Sequence, residues 1–317
     1  MAEDSAELSG HRPAGGIDIL GLGMSMLDSI QPVEEFPSDT GITEVEAPVL
    51  MGGGPVPTAL CAAARLGATA GVIDRVGDDW RGDLIRREYD AFGVDTRHLV
   101  RETGRTSGFG TVLVRRRDGE RHVIFNPGSF SVLQENELPL EDLKRCRLLH
   151  LNGRHWPACA AAARLVRDAG GRVSFDGGAH RFHPKFEELL PLVDILIVAR
   201  DFAERLAGST DLEEQLGILG RWGAELVGVT DGERGSWFAA REDEPFHQPA
   251  FPAVPLVDTT GCGDVFHGAF LFALNRGDDW RSCARLASAA AAISAGALGG
   301  RGRLPSLGEI EAMIGRG

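Results

Sequence analysis

The sequence predicts an α/β protein built on a doubly wound, mostly parallel sheet sandwiched by helices, with a small β lid. Three observations predict it. From Leu138 onward, apolar runs of strand length alternate with segments of helical period. The first apolar run, Ile17-Asp18-Ile19-Leu20-Gly21-Leu22-Gly23, ends in glycines, as a buried strand does where a ligand approaches. Near the C-terminus, Thr260-Gly261-Cys262-Gly263 separates the apolar Pro255-Leu256-Val257, read as a strand end, from Val265, Ala269, Phe272 and Ala273 at helical spacing.

Length and charge narrow the classes. The chain has 317 residues, enough for one large domain over 17–317, with a polar, disordered tail expected over 1–16. The formal net charge of −13 argues against nucleic acid or acidic membranes as partners. Lys144 and Lys185 are the only lysines, so no G-x-x-x-x-G-K-[ST] phosphate loop exists. The 5 cysteines form no C-x-x-C, which fits a reduced cytoplasmic protein without disulfides or a thiolate metal site. No apolar run reaches membrane-spanning length, and the first residues lack the apolar core of a signal peptide.

In chain order, 17–23 is a first buried strand. Met26 stands where a dinucleotide fingerprint needs its third glycine, so a nicotinamide site is not expected. Asp28 lies just beyond that strand. Residues 41–51 read as extended, since Pro37 and Pro48 bar a helix. Gly52-Gly53-Gly54-Pro55-Val56-Pro57-Thr58 then leads into an apolar helix over 59–66. Glycines at such an entrance let a ligand approach the backbone. A strand over 70–76 and a helix from Gly77-Asp78-Asp79 to about Phe92 follow. Residues 107–114 and 122–126 make an antiparallel hairpin around Asp118-Gly119. With 41–51 it would form the lid, so that lid strands sit at about 41–51 and 107–126.

Strands over 148–151, 173–175, 195–198 and 226–230 then alternate with helices over about 157–169, 184–190, 201–207 and 212–222. Ligands of such a sheet gather at the strands' carboxyl ends. Arg154 and Asp176 stand there, each as readily a loop charge as a ligand. His180 and His183 are three apart but lack a third metal ligand nearby. Thr230-Asp231-Gly232-Glu233-Arg234-Gly235 joins two strands, and the Ala-rich 287–297 reads as a core helix.

The organising stretch is Asp258-Thr259-Thr260-Gly261-Cys262-Gly263-Asp264. Small residues where a helix begins let backbone N–H groups converge, and the helix dipole favours an anion there. Asp264 follows in the first turn. It is either a helix-start acid or a base that takes the proton of an attacking hydroxyl. Cys262 reads first as merely a small residue of this turn, although a thiol at a helix start can have a lowered pKa.

D-T-T-G-x-G-D-x-F-x-G-A closely resembles the C-terminal signature of the ribokinase-like (PfkB) carbohydrate kinases. The Gly52–Thr58 stretch is similar to their acceptor cradle, with Thr58 in place of the usual Asn, and Thr230–Gly235 to their nucleotide loop. The resemblance implies a ribokinase-like fold and a kinase using ATP and Mg2+. It implies Asp264 as base, and the backbone of Gly261, Cys262 and Gly263 as anion hole. Asp28, Gly53, Gly54, Thr58, Asn126 and Arg154 would hold a sugar. Thr230, Gly232, Gly235 and Arg301 would hold the nucleotide, and Asp258 and Thr260 a monovalent cation such as K+. A homodimer joined through the lid is implied too.

Two departures mark a divergent member. The family's N-x-x-E falls on Ala199 and Phe202, so either Glu204 or another carboxylate substitutes, or ATP holds the metal. Local strings look most like the sulfofructose kinase branch, whose substrate-contacting Lys falls on Ile42 here. An arginine facing the acceptor favours an anionic sugar. The implied reaction is phosphoryl transfer to a primary hydroxyl of a ketose or acidic sugar. Ribose, fructose, 2-keto-3-deoxygluconate or a nucleoside are alternative acceptors. A non-catalytic sugar- or nucleotide-binding regulator is the alternative of another class.

Overall fold

The computed structural model describes residues 16–253 and 255–316, so residues 1–15 of the expected tail lie outside the described residues. The chain begins β1 (Ile19–Leu22), β2 (Met26–Val33), β3 (Val49–Gly53), α1 (Pro55–Leu66), β4 (Ala70–Gly77), α2 (Trp80–Phe92) and β5 (Asp95–Glu102). It continues β6 (Gly108–Arg115), β7 (Arg121–Asn126), α3 (Leu140–Arg145), β8 (Leu148–Leu151), α4 (Trp156–Asp168), β9 (Arg172–Gly177), β10 (Ile195–Ala199) and α5 (Arg200–Ala207). It closes with α6 (Leu212–Gly220), β11 (Leu226–Thr230), β12 (Ser236–Ala240), β13 (Phe246–Gln248), α7 (Cys262–Arg276), α8 (Trp280–Ser294) and α9 (Leu307–Ile314).

The large sheet has the order β13-β12-β11-β10-β9-β8-β1-β4-β5. Neighbours are parallel from β11 to β5, and β12 and β13 add an antiparallel edge. Neighbouring residues of one strand enter different cores, as burial on both faces requires. Ile19, Ile195 and Ile197 pack with residues of α1, α7 and α8. Leu20, Leu22, Leu196 and Val198 pack with residues of α4 and α5. Strand order reverses between β1 and β8, so the crevice at their carboxyl ends is where such a sheet takes its ligand. No helix among the described residues is long and apolar enough to cross a membrane.

The second sheet has the order β3-β2-β6-β7 and covers that crevice from one side. Its inner face is a small core of Ile30, Val112 and Val114, backed by Met51 and Leu298. The hairpin turn reaches the opposite half of the site. Thr259 donates to Gly119 O from both its N (3.1 Å) and its Oγ1 (2.9 Å).

Four sequence expectations are corrected. The lid strand preceding β3 is β2, while 41–48 carries no strand; Asp28 therefore lies inside a strand rather than just beyond one. Residues 255–257 are not a strand either. The backbone N–H groups of Val257 and Asp258 donate to Ala295 O at the end of α8, so no sheet neighbour is needed. The 184–190 helix is two 3-10 turns, Pro184–Glu188 and Leu190–Leu192, because Pro191 lacks the N–H an α-helix would use. Strand β5 went unseen, since only Leu99 along it is buried and edge strands need no apolar alternation.

Candidate active site

Gly261 caps α7 with φ +74°, and a Cβ there would lie 2.4 Å from the Cα of Gly300. Only glycine allows both the left-handed backbone and that contact. The first N–H groups of α7, from Cys262 and Gly263 onward, have no carbonyl one turn back within the helix, and that of Cys262 makes only a long bond, 3.4 Å, to Thr259 O.

Asp264 sits in this first turn with 18% of its side chain exposed, enough to meet a ligand. Burial raises its pKa and the neighbouring Asp176 carboxylate adds to the rise; Arg181, Arg121 and His267 oppose it. Arg181 bridges the two acids, 4.0 Å from Asp264 and 3.7 Å from Asp176. Burial works against the ionised form of Asp176 too, yet His267, 3.4 Å away, and Arg181 hold it below the usual carboxylate range. His150, its ring 5.2 Å from that of His267 and tilted by 38°, is kept neutral, its pKa pushed down to about 3 by burial.

The residues expected to hold the acceptor lie around the β1–β2 turn, the start of α1 and the end of β7. Asp28 is buried, and a Cβ on Gly53 would lie 1.9 Å from its Oδ2. Its Oδ1 has no hydrogen-bond partner. Burial pushes its pKa up to about 7, with Arg301 pulling down and Asp264 and Glu88 pushing up. Gly54, at φ +95°, precedes α1, on which Thr58 is buried with Oγ1 accepting from Arg301 Nε at 3.3 Å. Asn126 ends β7, its Oδ1 accepting from Gly128 N at 2.8 Å. Arg154 lies under the lid. Its guanidinium meets Met24 Sδ at 2.7 Å and sits 5.9 Å from the Phe125 ring. Among the described residues it has no carboxylate at ion-pair distance, and burial lowers its pKa.

Thr230 ends β11, its Oγ1 donating to Val198 O at 3.4 Å, and Gly232 and Gly235 hold positive φ in the turn that follows. Asp231 in that turn is held by Arg200 and Arg234, each at 2.8 Å. Arg301, expected beside the nucleotide, is instead buried among acceptor-side groups, its donors on Glu88, Gly53 O and Thr58. Its charge finds a carboxylate there, which explains the placement.

Cys262 fits the reading of a small residue in the turn rather than a reactive thiol. Burial pushes its thiol up to about 12, which outweighs any helix-start effect. Asp258 is buried and accepts from Thr260 N and Gly299 N, both at 2.7 Å. Among the described residues the buried Thr260 Oγ1 has no hydrogen-bond partner. Glu204 pairs with Arg200 at 3.2 Å, and Phe202 is core, so nothing here rebuilds N-x-x-E. Among the described residues no three His, Cys, Asp or Glu form a metal cluster. His180 contacts Asp201 rather than His183.

Arg181, His267, Arg121 and Glu88 escaped the sequence reading. His267 carried a usable signal, since it lies three residues after Asp264 and hence on the same helix face. The others come from distant segments. A groove of about 590 Å3 lined by Leu216, Val227 and Trp237 shares no residue with this site.

The pattern described as pfkB family carbohydrate kinase matches residues 17–307. The chain is 29% identical to an ATP-dependent ribose-1-phosphate kinase of Halopiger xanaduensis, over 90% of this chain and 94% of that protein. It is 31% identical to fructokinase-1 of Zea mays, over 75% and 79%. Among solved structures, ribokinase from Thermotoga maritima superposes with a TM-score of 0.82 at 25% identity, over 94% of this chain and 99% of that one.

Proposed function

The chain belongs to the pfkB family of carbohydrate kinases, and from that premise we propose that it transfers the γ-phosphoryl group of ATP to a primary hydroxyl of a ketose or acidic sugar. The observation that carries the reading is a pair of carboxylates, one partly exposed and one buried. Asp264 stands at an anion-accepting turn, and Asp28 lines a glycine cradle with Oδ1 free to accept a sugar hydroxyl.

Asp28, Gly53, Gly54, Thr58 and Asn126 orient the acceptor. Asp264 takes the proton as the hydroxyl oxygen bonds to phosphorus, and the bond from that phosphorus to the β-phosphate oxygen breaks to release ADP. Gly261, Cys262 and Gly263 present backbone N–H groups to the transferred oxygens, where fixed dipoles stabilise developing charge. Thr230, Gly232 and Gly235 bound the nucleotide, in keeping with the ATP dependence in the Halopiger relative's name. Mg2+ would be held chiefly by the phosphates of ATP, whose charge it would neutralise. A K+ ion would meet Thr260 Oγ1 and Asp258.

Arg154 directs the choice of acceptor. Arg154 is exposed and, among the described residues, has no carboxylate partner, so its guanidinium can meet a ligand anion, and the acceptor carries a negative group away from the reacting hydroxyl. The relative that acts on ribose 1-phosphate handles an anionic sugar of that kind. The proposed assembly is a homodimer joined through the lid, whose edge strand leaves Val123, Ile124 and Phe125 exposed. Five free thiols suit a reducing, cytoplasmic setting.

The test is ADP release from ATP–Mg2+ over fructose, ribose, sugar phosphates, 6-deoxy-6-sulfofructose, 2-keto-3-deoxygluconate and adenosine. Turnover with an anionic sugar, with KM raised about 10- to 100-fold in Arg154→Gln, supports the reading. Turnover with neutral acceptors alone overturns the role of Arg154. ATP binding without turnover on any acceptor favours the regulator.

A further inference from the structure

The loop through Gly299, Gly300 and Arg301 touches both halves of the site in three successive residues. Gly299 N donates to Asp258 Oδ2 at 2.7 Å, beside the anion turn. Gly300 lies against Gly261, so closely that Gly261 has no room for a Cβ, which would lie 2.4 Å from the Cα of Gly300. Arg301 then turns to the acceptor side. Its side chain is 1% exposed, and each end of its fork is used. Nη1 donates to Glu88 Oε2 at 2.6 Å, Nη2 to Gly53 O at 3.1 Å and Nε to Thr58 Oγ1 at 3.3 Å. Glu88, from α2, also accepts from Gly52 N at 2.6 Å. A Cβ on Gly52 would lie 2.0 Å from Glu88 Oε2 and 2.2 Å from Arg301 Nη1, so the cradle glycine exists to admit the pair.

We propose that Arg301 is a positioning residue for the acceptor: its fork, anchored by Glu88, holds Gly53 and Thr58 in place and ties the acceptor cradle to the phosphate turn through Gly299 and Gly300. A buried arginine with a single carboxylate needs its remaining donors satisfied, and the cradle backbone and Thr58 satisfy them. The hydroxyl oxygen of Thr58, where the family usually has asparagine, is one of the acceptors that satisfy the arginine. The charge matters as well as the fork. The groups acting on Asp28 are Arg301, Asp264 and Glu88, and Arg301 is the one that favours its ionised form.

The kinetic arm of the test rests on the kinase reading above. In Arg301→Gln the acceptor KM should rise at least about tenfold while the ATP KM stays within about twofold, and the acidic limb of kcat/KM should move to higher pH. Arg301→Lys keeps the charge without the fork, so it should restore the pH limb and leave the acceptor KM raised. Unchanged KM values with less active protein would mean a purely structural role and overturn the proposal. An ATP KM that rises as much as the acceptor KM would place Arg301 with the nucleotide and overturn it too. A second readout needs no turnover. Amide hydrogen exchange in peptides spanning 49–58 should quicken about tenfold in Arg301→Gln, with β8 to β11 unchanged. Uniform or absent change overturns the latch, even if the wild-type chain phosphorylates none of the acceptors tried and the proposed function falls.

Discussion

At the scale of single residues, burial sets the chemistry. Asp264 has its pKa raised by burial and by Asp176, which makes it a better proton acceptor than a surface carboxylate. Asp264→Asn should lower kcat roughly a thousandfold with little change in ATP affinity, checked by ADP release and by nucleotide titration. Asp28 bears on stability. Its pKa is 3.8 in the ordinary state and about 7 when folded, so the folded chain binds the proton more readily. Its contribution is fully present below the unfolded value and is lost as pH climbs through about 7. Asp28→Asn should therefore melt higher than wild type at pH 8, on the order of 5 °C, with the gap closing toward pH 4 and the acceptor KM rising. A melting difference independent of pH would refute the assignment. Cys262 is a protonated thiol at neutral pH, so iodoacetamide should label it more than tenfold slower than a free thiol; rapid labelling would show a thiolate.

At the scale of elements, the turn into α7 is the part least able to change. Gly261→Ala adds a Cβ at φ +74° against Gly300. It should cost about 2–3 kcal/mol of stability and reduce kcat/KM more than a hundredfold, since both backbone dipoles and the neighbouring loop are displaced. Denaturant melts and steady-state rates measure both. This turn was legible in the sequence because its signature is local: glycines, an acid and helical spacing follow one another directly. Strand β2 was not, although Asp28 lies within it. Its residues alternate poorly, and its partners β3 and β6 arrive about 25 and 80 residues later. The Pro255-Leu256-Val257 stretch misled for the converse reason. Apolar and extended, it pairs with the end of α8 rather than with a strand.

At the scale of the whole molecule, the lid spans the crevice and reaches the phosphate turn through Gly119 and Thr259. Its outer edge β7 is exposed along its whole length and carries three large apolar residues. For the proposed homodimer, Ile124→Glu should shift sedimentation from dimer to monomer while thermal stability of the monomer is kept; a wild-type chain that sediments as a monomer at micromolar concentration would refute it.

Local order along the chain determined the α/β class, the parallel strands from β8 to β11, the glycine cradle, the anion turn and Asp264. Each depends on residues within about one turn or strand of one another, where period and backbone preference are visible without a partner. Tertiary structure alone decided where the charges went. It set Arg301 on Glu88, Gly53 and Thr58, set Arg181 and His267 beside Asp176, and left Arg154 without a carboxylate among the described residues. Those outcomes join segments separated by up to about 250 residues. In a low-dielectric interior, the energy of a buried charge depends on which partner the fold delivers within a few ångströms, and no spacing along the chain encodes that.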